Sequence, residues 1–145
     1  MPLATQMTVV VDALQAKLEA VREEYGVSQT SYGDQVKLPG GNIVCFEPDT
    51  KAVELKGAQF KTELTFTVYI IVYTASIQSP EMNRKESDEL AEKLEVLFNS
   101  DVQLGGLLIH GYVSEVASGY STKDNSIVRS NRLTYTGISQ SRLLG

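Results

Sequence analysis

Apolar and polar residues alternate along residues 60–67, with Phe60, Leu64 and Phe66 set against Lys61, Glu63, Thr65 and Thr67. A period of two is the mark of a strand with one face buried. From Val68 to Tyr73 the alternation stops, and every residue is apolar or aromatic. A continuous run of this kind asks for cover on both faces. The segment 60–75 is therefore read as one long central strand.

Two stretches carry helical spacing instead. Met7, Val11, Leu14, Leu18, Val21 and Tyr25 recur every three or four residues, with Thr5 or Thr8 placed to cap the start and Gly26 to end it. Ser87, Leu90, Ala91, Leu94, Leu97 and Phe98 form a second stripe, opened by Ser79, Pro80 and Glu81. Ile43–Glu47 reads as a short strand stopped by Pro48, and Val53–Leu55 as a brief one. Two further strands, about 108–117 and 128–139, form a last antiparallel hairpin, with turn chemistry at Asp124–Asn125. Residues 26–42 read as a long loop, of a length that often serves a partner.

The elements predict a single α+β domain over 1–145. Its sheet is mixed and mainly antiparallel, with about four strands and a long central one, and both helices pack on one face. That arrangement leaves the other face uncovered. Tyr69, Ile71 and Tyr73 point away from Val68, Ile70 and Val72. Leaving each of them wet forfeits about 1.5–3 kcal/mol relative to burial. Contiguous exposed apolar surface usually marks an interaction site, so the pattern points to self-association ahead of the alternative, cover by the 26–42 loop or the N-terminal arm.

Composition narrows the function classes. The chain has 145 residues, a formal net charge of -5 and one cysteine. With no large basic field, duplex DNA and anionic membranes are not its expected ligands. The acid concentrates in the second helix, where residues 81–100 hold six acidic and three basic side chains. No apolar run approaches the ~20 residues that span a bilayer. The start, MPLATQ, has no basic stretch followed by an apolar one, so no signal peptide is expected.

Candidate chemistry is sparse. Cys45 lies within the apolar run IVCF and reads as a small buried hydrophobe. His110 is the sole histidine, and no G-x-S-x-G elbow surrounds any serine. One histidine and one cysteine make a poor basis for a zinc site. Neither Gly40–Gly41 nor Gly105–Gly106 belongs to a GxxxxGK[ST] phosphate loop. No cofactor or metal is expected. Lys123, Arg129, Arg132 and Arg142, with Tyr120 and Tyr135 nearby, suit either a single-stranded nucleic acid or ion pairs between subunits.

The segment LIHGYVSEVASGYSTKDNSIVRSNRLTYTGISQ, residues 108–140, resembles the C-terminal part of the tail terminator (tail completion) proteins of long-tailed bacteriophages. The shared pattern is a glycine–aromatic strand, a polar turn with Gly119–Tyr120, then Arg132-Leu133-Thr134-Tyr135-Thr136. The order of helix, strand, long strand, helix and hairpin is similar too. The resemblance implies a non-enzymatic virion protein that forms a hexameric ring. Such a ring caps the tail tube, stops its polymerisation and offers the docking surface for the head–neck connector. DNA would pass through its lumen without sequence-specific binding. Partners would be other copies, the major tail tube protein and the connector. The protein would be made in the bacterial cytoplasm and reside at the tail–neck junction of the virion, with no membrane contact.

On this reading the self-association candidates are Tyr69, Ile71, Tyr73, Arg129, Arg132 and Tyr135. Tyr32, Asp34 and Lys37, in the 26–42 loop, are candidates for docking onto tube or neck. Three alternatives stay open: a neck-connector or baseplate ring protein, a small hydrolase using His110, and a single-strand nucleic-acid binder.

Overall fold

The computed structural model describes residues 6–33, 41–56, 61–75, 80–123 and 126–142. Helix α1 (Met7–Glu19) is followed by strands β1 (Gln29–Tyr32), β2 (Gly41–Lys56) and β3 (Lys61–Ala75). Helix α2 (Pro80–Asn99) and strands β4 (His110–Lys123) and β5 (Ser126–Arg142) complete the chain. The strands form one open sheet in the order β1-β2-β3-β5-β4. Every neighbouring pair is antiparallel except β1 and β2, so the sheet is mixed, and β3 lies at its centre.

Alternation along β3 sets the layers. Leu64, Phe66, Val68, Ile70 and Val72 face the helices, joined by Val44 and Phe46 from β2 and by Leu133 and Tyr135 from β5. The helices answer with Val10, Val11, Leu14 and Leu18 from α1, and Leu90, Ala91, Leu94 and Phe98 from α2. Phe98 meets Phe46 edge to face, with centroids 6.0 Å apart and planes at 89°. Full burial of side chains this size contributes about 1.5–3 kcal/mol each, so this layer dominates the fold. Of the two stripes read from the sequence, Val11, Leu14, Leu18, Ser87, Leu90, Ala91, Leu94 and Phe98 are buried. Met7, Val21, Tyr25 and Leu97 are half-buried, Val21 and Tyr25 lying past the end of α1.

α1 gives way to turns and the chain leaves the helical path at Gly26, whose φ is +71°. An added Cβ there would meet no atom within 4 Å. Gly26→Ala is therefore expected to cost only the left-handed backbone term, about 1 kcal/mol, read as a lower urea midpoint at unchanged slope. The start of α1 differs from expectation. Its N-cap is Gln6, which makes no side-chain capping bond, and Thr8 lies inside the helix. Thr5 and Ser79 lie outside the described residues.

Three other features correct the sequence reading. The 26–42 segment is not all loop, because Gln29–Tyr32 pairs in parallel with Ile43–Phe46. This strand, QTSY, has no apolar alternation and is recruited by the edge of β2. Pro48 does not stop β2. Pro48 has the parity of Phe46, so its missing N–H falls on the outer edge and not on the ladder with β3. The register slips between Pro48 and Thr50, and pairing continues to Lys56. Residues 118–123 are strand rather than turn, each paired with β5. The sheet consequently has five strands where about four are expected. The Asp124–Asn125 turn lies outside the described residues.

Candidate assembly surface

The helix-facing side of the sheet ends in a polar seam that seats α2. Asn42 of β2 donates from Nδ2 to the Gly26 carbonyl at 3.2 Å and to Glu86 Oε1 at 3.0 Å, and its Oδ1 accepts from Thr74 at 2.8 Å. Asn131 of β5 donates to Ser87 Oγ at 2.8 Å and Asp88 Oδ1 at 3.0 Å, and accepts from Ser118 at 2.7 Å. Arg129 donates from Nη2 to Asp88 Oδ1 at 3.0 Å and stacks over the Tyr120 ring at 5.1 Å. Burial pushes the Asp88 carboxyl up. The bonds from Asn131 and Arg129, with the charges of Arg129 and Arg84, outweigh this and hold it below the ordinary value of 3.8.

This seam removes two residues from the expected self-association set. Arg129 is only 8% exposed, and its partner on the acidic helix belongs to its own subunit. Tyr135 is fully buried beneath the helices. Neither side chain is presented to a second copy. Arg129 and Arg132 also point to opposite faces, so they do not form one basic platform for a nucleic acid. Lys123 and Arg142 are strand residues, at the ends of β4 and β5.

The opposite face is better covered than its sequence suggests. Tyr73 is 3% exposed and packs with Ile43, Cys45 and Val128 in a second apolar cluster. Tyr73 is thus a correction: the subunit hides it without help. Ile71 is half-buried against this cluster. Tyr69 is half-buried too, with the Arg132 guanidinium over its ring at 4.7 Å. Arg132 also reaches Glu115 at 3.8 Å. Amphipathic cover of this kind lets cross-strand neighbours shield one another. Tyr69, Ile71 and Arg132 remain partly open on this face.

More apolar surface lies at the sheet's edges, where sequence reasoning had not placed it. Among the described residues, β1 covers only Ile43–Phe46 of β2, and none pairs with the outer edge of β2 beyond its bulge. There Val53 is 61% and Leu55 58% exposed. On the far edge, the start of β4 is closed off. Gly111 N–H donates to the Val102 carbonyl at 2.6 Å, and Val113 N–H to Asn99 Oδ1 at 2.8 Å. Beyond a bulge between Val113 and Glu115, Val116 is 40% and Tyr120 62% exposed. The alternation in Lys51–Lys56 carried the signal for the first edge. For the second, the turn-like SGYSTK composition hid a strand.

Of the docking candidates, Tyr32 is exposed at the end of β1, whereas Asp34 and Lys37 lie outside the described residues. His110 is exposed on the face away from the helices, its ring 6.4 Å from that of Tyr112. Among the described residues no hydroxyl or thiol hydrogen-bonds to it. A groove of about 530 Å³ between the turn after α1 and the helix α2 is lined by Glu24, Tyr25, Glu89, Glu92, Lys93 and Val96. Its charged groups are exposed, and among the described residues no serine, threonine, cysteine or histidine lines it. Among the described residues no three His, Cys, Asp or Glu side chains converge on a metal-sized site, and no helix is long and apolar enough to cross a membrane. Comparison with protein-family models finds no match to this chain, and no curated protein matches it.

Proposed function

We propose that this protein is a non-enzymatic subunit of a ring that caps the tail tube of a long-tailed bacteriophage. On this reading the ring halts tube growth and presents the surface to which the neck docks. The observation that carries it is an open sheet that no other described residue pairs along parts of both edges, with exposed aliphatic and aromatic side chains on them. Natural proteins usually shorten, charge or cover such edges. A long bare edge beside apolar side chains is suited to joining another chain. Joining one edge to the other, which differs in sequence, is a head-to-tail contact, and head-to-tail contacts close into rings when the rotation permits. The likeness of residues 108–140 and of the element order to tail terminators supplies the specific role.

The test is light scattering of the purified protein over rising concentration, followed by electron microscopy of the protein mixed with tail tubes. The expected result is a closed ring of about six copies and a cap at one tube end, with tube elongation arrested. A protein that stays monomeric and leaves tubes free to grow would overturn the reading.

A further inference from the structure

We infer that copies of this chain join by continuing the sheet, with the free length of β4 in one copy pairing to the free length of β2 in the next. This rests on the ring reading above and names the surface that builds it.

Among the described residues, both lengths have backbone groups on the same outward rows with no partner. At the start of β4, Gly111 and Val113 direct their N–H groups away from β5. The bulge between Val113 and Glu115 shifts the alternation by one. Beyond it the outward groups belong to Val116, Ser118, Tyr120 and Thr122. Among the described residues none of these has a backbone partner outside the sheet. On the other edge, Phe46 is a helix-facing residue whose carbonyl points outward, to Gly33 N–H at 2.8 Å. The same relation holds past the Pro48 bulge, so Lys51, Val53 and Leu55 turn their backbone groups outward.

The side chains match as well as the backbones. Val116 and Tyr120 lie on the helix-facing side of β4, since their strand partners Leu133 and Arg129 face α2. Val53 lies on the same side of β2, opposite Leu64, and Leu55 opposite Thr62. In the sheet order β4 runs opposite to β2. Continuing the sheet in the same sense therefore makes the new pair antiparallel, with all four apolar side chains on one face.

Aliphatic pairing selects the register. Lys51 is the sole charged residue on the helix-facing side of the free β2 length. Beside the free β4 length stand the exposed Tyr120 ring and the acidic helix α2. Placing Val53 opposite Ser118 sets Lys51 against Tyr120 and Leu55 against Val116. Lys51 already lies over Phe66 of its own copy at 5.8 Å and Arg129 over Tyr120 at 5.1 Å, so the register rests on the favourable aliphatic cross-strand pair of Leu55 with Val116. Glu54 and Ala117 then form a non-hydrogen-bonded pair on the opposite face, with Cα atoms about 4.5 Å apart.

That spacing permits a disulfide, whose Cα separation is about 4.4–6.8 Å. Glu54→Cys combined with Ala117→Cys is expected, under mild oxidation, to give a ladder of covalent oligomers ending at the ring size. Glu54→Cys with Ser121→Cys is out of register by four residues, about 13 Å, and is expected to give none. Cys45 is buried and stays silent. Val53→Asp in the parent chain is expected to weaken assembly at least tenfold. If light scattering shows rings but the first pair does not cross-link, or the second cross-links as well, edge pairing in this register is wrong while the ring stands. If both pairs give only monomers and the parent does not associate at any concentration, the pairing and the ring reading fall together.

Discussion

Gly111→Ala is expected to destabilise the protein by about 3 kcal/mol, at the upper end of what overpacking costs. An added Cβ would stand 2.1 Å from Tyr135 Oη, 2.7 Å from Cζ of the same ring and 2.9 Å from Leu108 Cδ1. Tyr135 is fully buried, so its ring has nowhere to retreat. Gly137, directly across the ladder from Gly111, is under the same constraint, its added Cβ falling 2.7 Å from Leu108 Cδ1. The paired glycines form a slot that admits the tyrosine and leucine side chains between strands and core. Gly119 on the same strand has nothing within 4 Å, and Gly119→Ala is expected to move stability by less than about 0.5 kcal/mol. Urea midpoints for the two variants make the comparison, and equal midpoints would refute the steric account.

Tyr135→Phe separates the ring from its hydroxyl. The buried hydroxyl has no hydrogen-bond partner among the described residues, so its removal is expected to be neutral or stabilising. Burial, aided by the Asp101 charge, pushes the phenol up to about 12 from its ordinary 10.0. A group whose value rises on folding stabilises fully below its unfolded value. That contribution is lost as pH climbs through the folded one. Stability of the parent should therefore decline between about pH 10 and 12, and less steeply in Tyr135→Phe.

Asn131→Ala is expected to cost about 2–3 kcal/mol, the second largest effect. It strands the fully buried Ser87 hydroxyl and removes bonds to Asp88 and Ser118 in one step. Loss of this anchor should act on α2 first. Amide exchange is expected to accelerate in residues 83–90 while the amides of α1 keep their protection. Uniform acceleration would mean that the seam supports the whole fold rather than one helix. Asp88 adds an acid limb. Its value is lowered on folding, so its contribution is present above its ordinary 3.8 and is lost as pH falls below that. Half-exposure of the carboxyl keeps this contribution small, and Arg129→Met should flatten the limb.

Much of the fold was legible because it rests on periodicity. The stripes Val11-Leu14-Leu18 and Leu90-Leu94-Phe98, and the alternation of Leu64, Phe66 and Val68, each need one local pattern and produced the right layers. The failures involve interactions that no local pattern carries. β1 exists because β2 offers it an edge, and its own residues have no strand signal. Pro48 breaks a strand only where its position must donate to a neighbour, and here that position faces the outer edge. Arg129 looked like a surface cation because its partner, Asp88, lies 41 residues away. Tyr73 looked exposed because the run Val68–Tyr73 does not reveal that Ile43, Cys45 and Val128 meet it across two strand boundaries. The assembly surface was only half legible for the same reason. Apolar side chains can be counted in a sequence, but which strand lies at an edge is a property of the sheet order.

Cys45 gives this molecule an internal clock. It is the chain's single thiol and lies within the small apolar cluster on the face away from the helices. A thiol reagent in the surrounding water reacts with it only when that cluster parts. The rate of modification, free of any engineered label, then reports how often one side of the sheet breathes while the helical side stays shut.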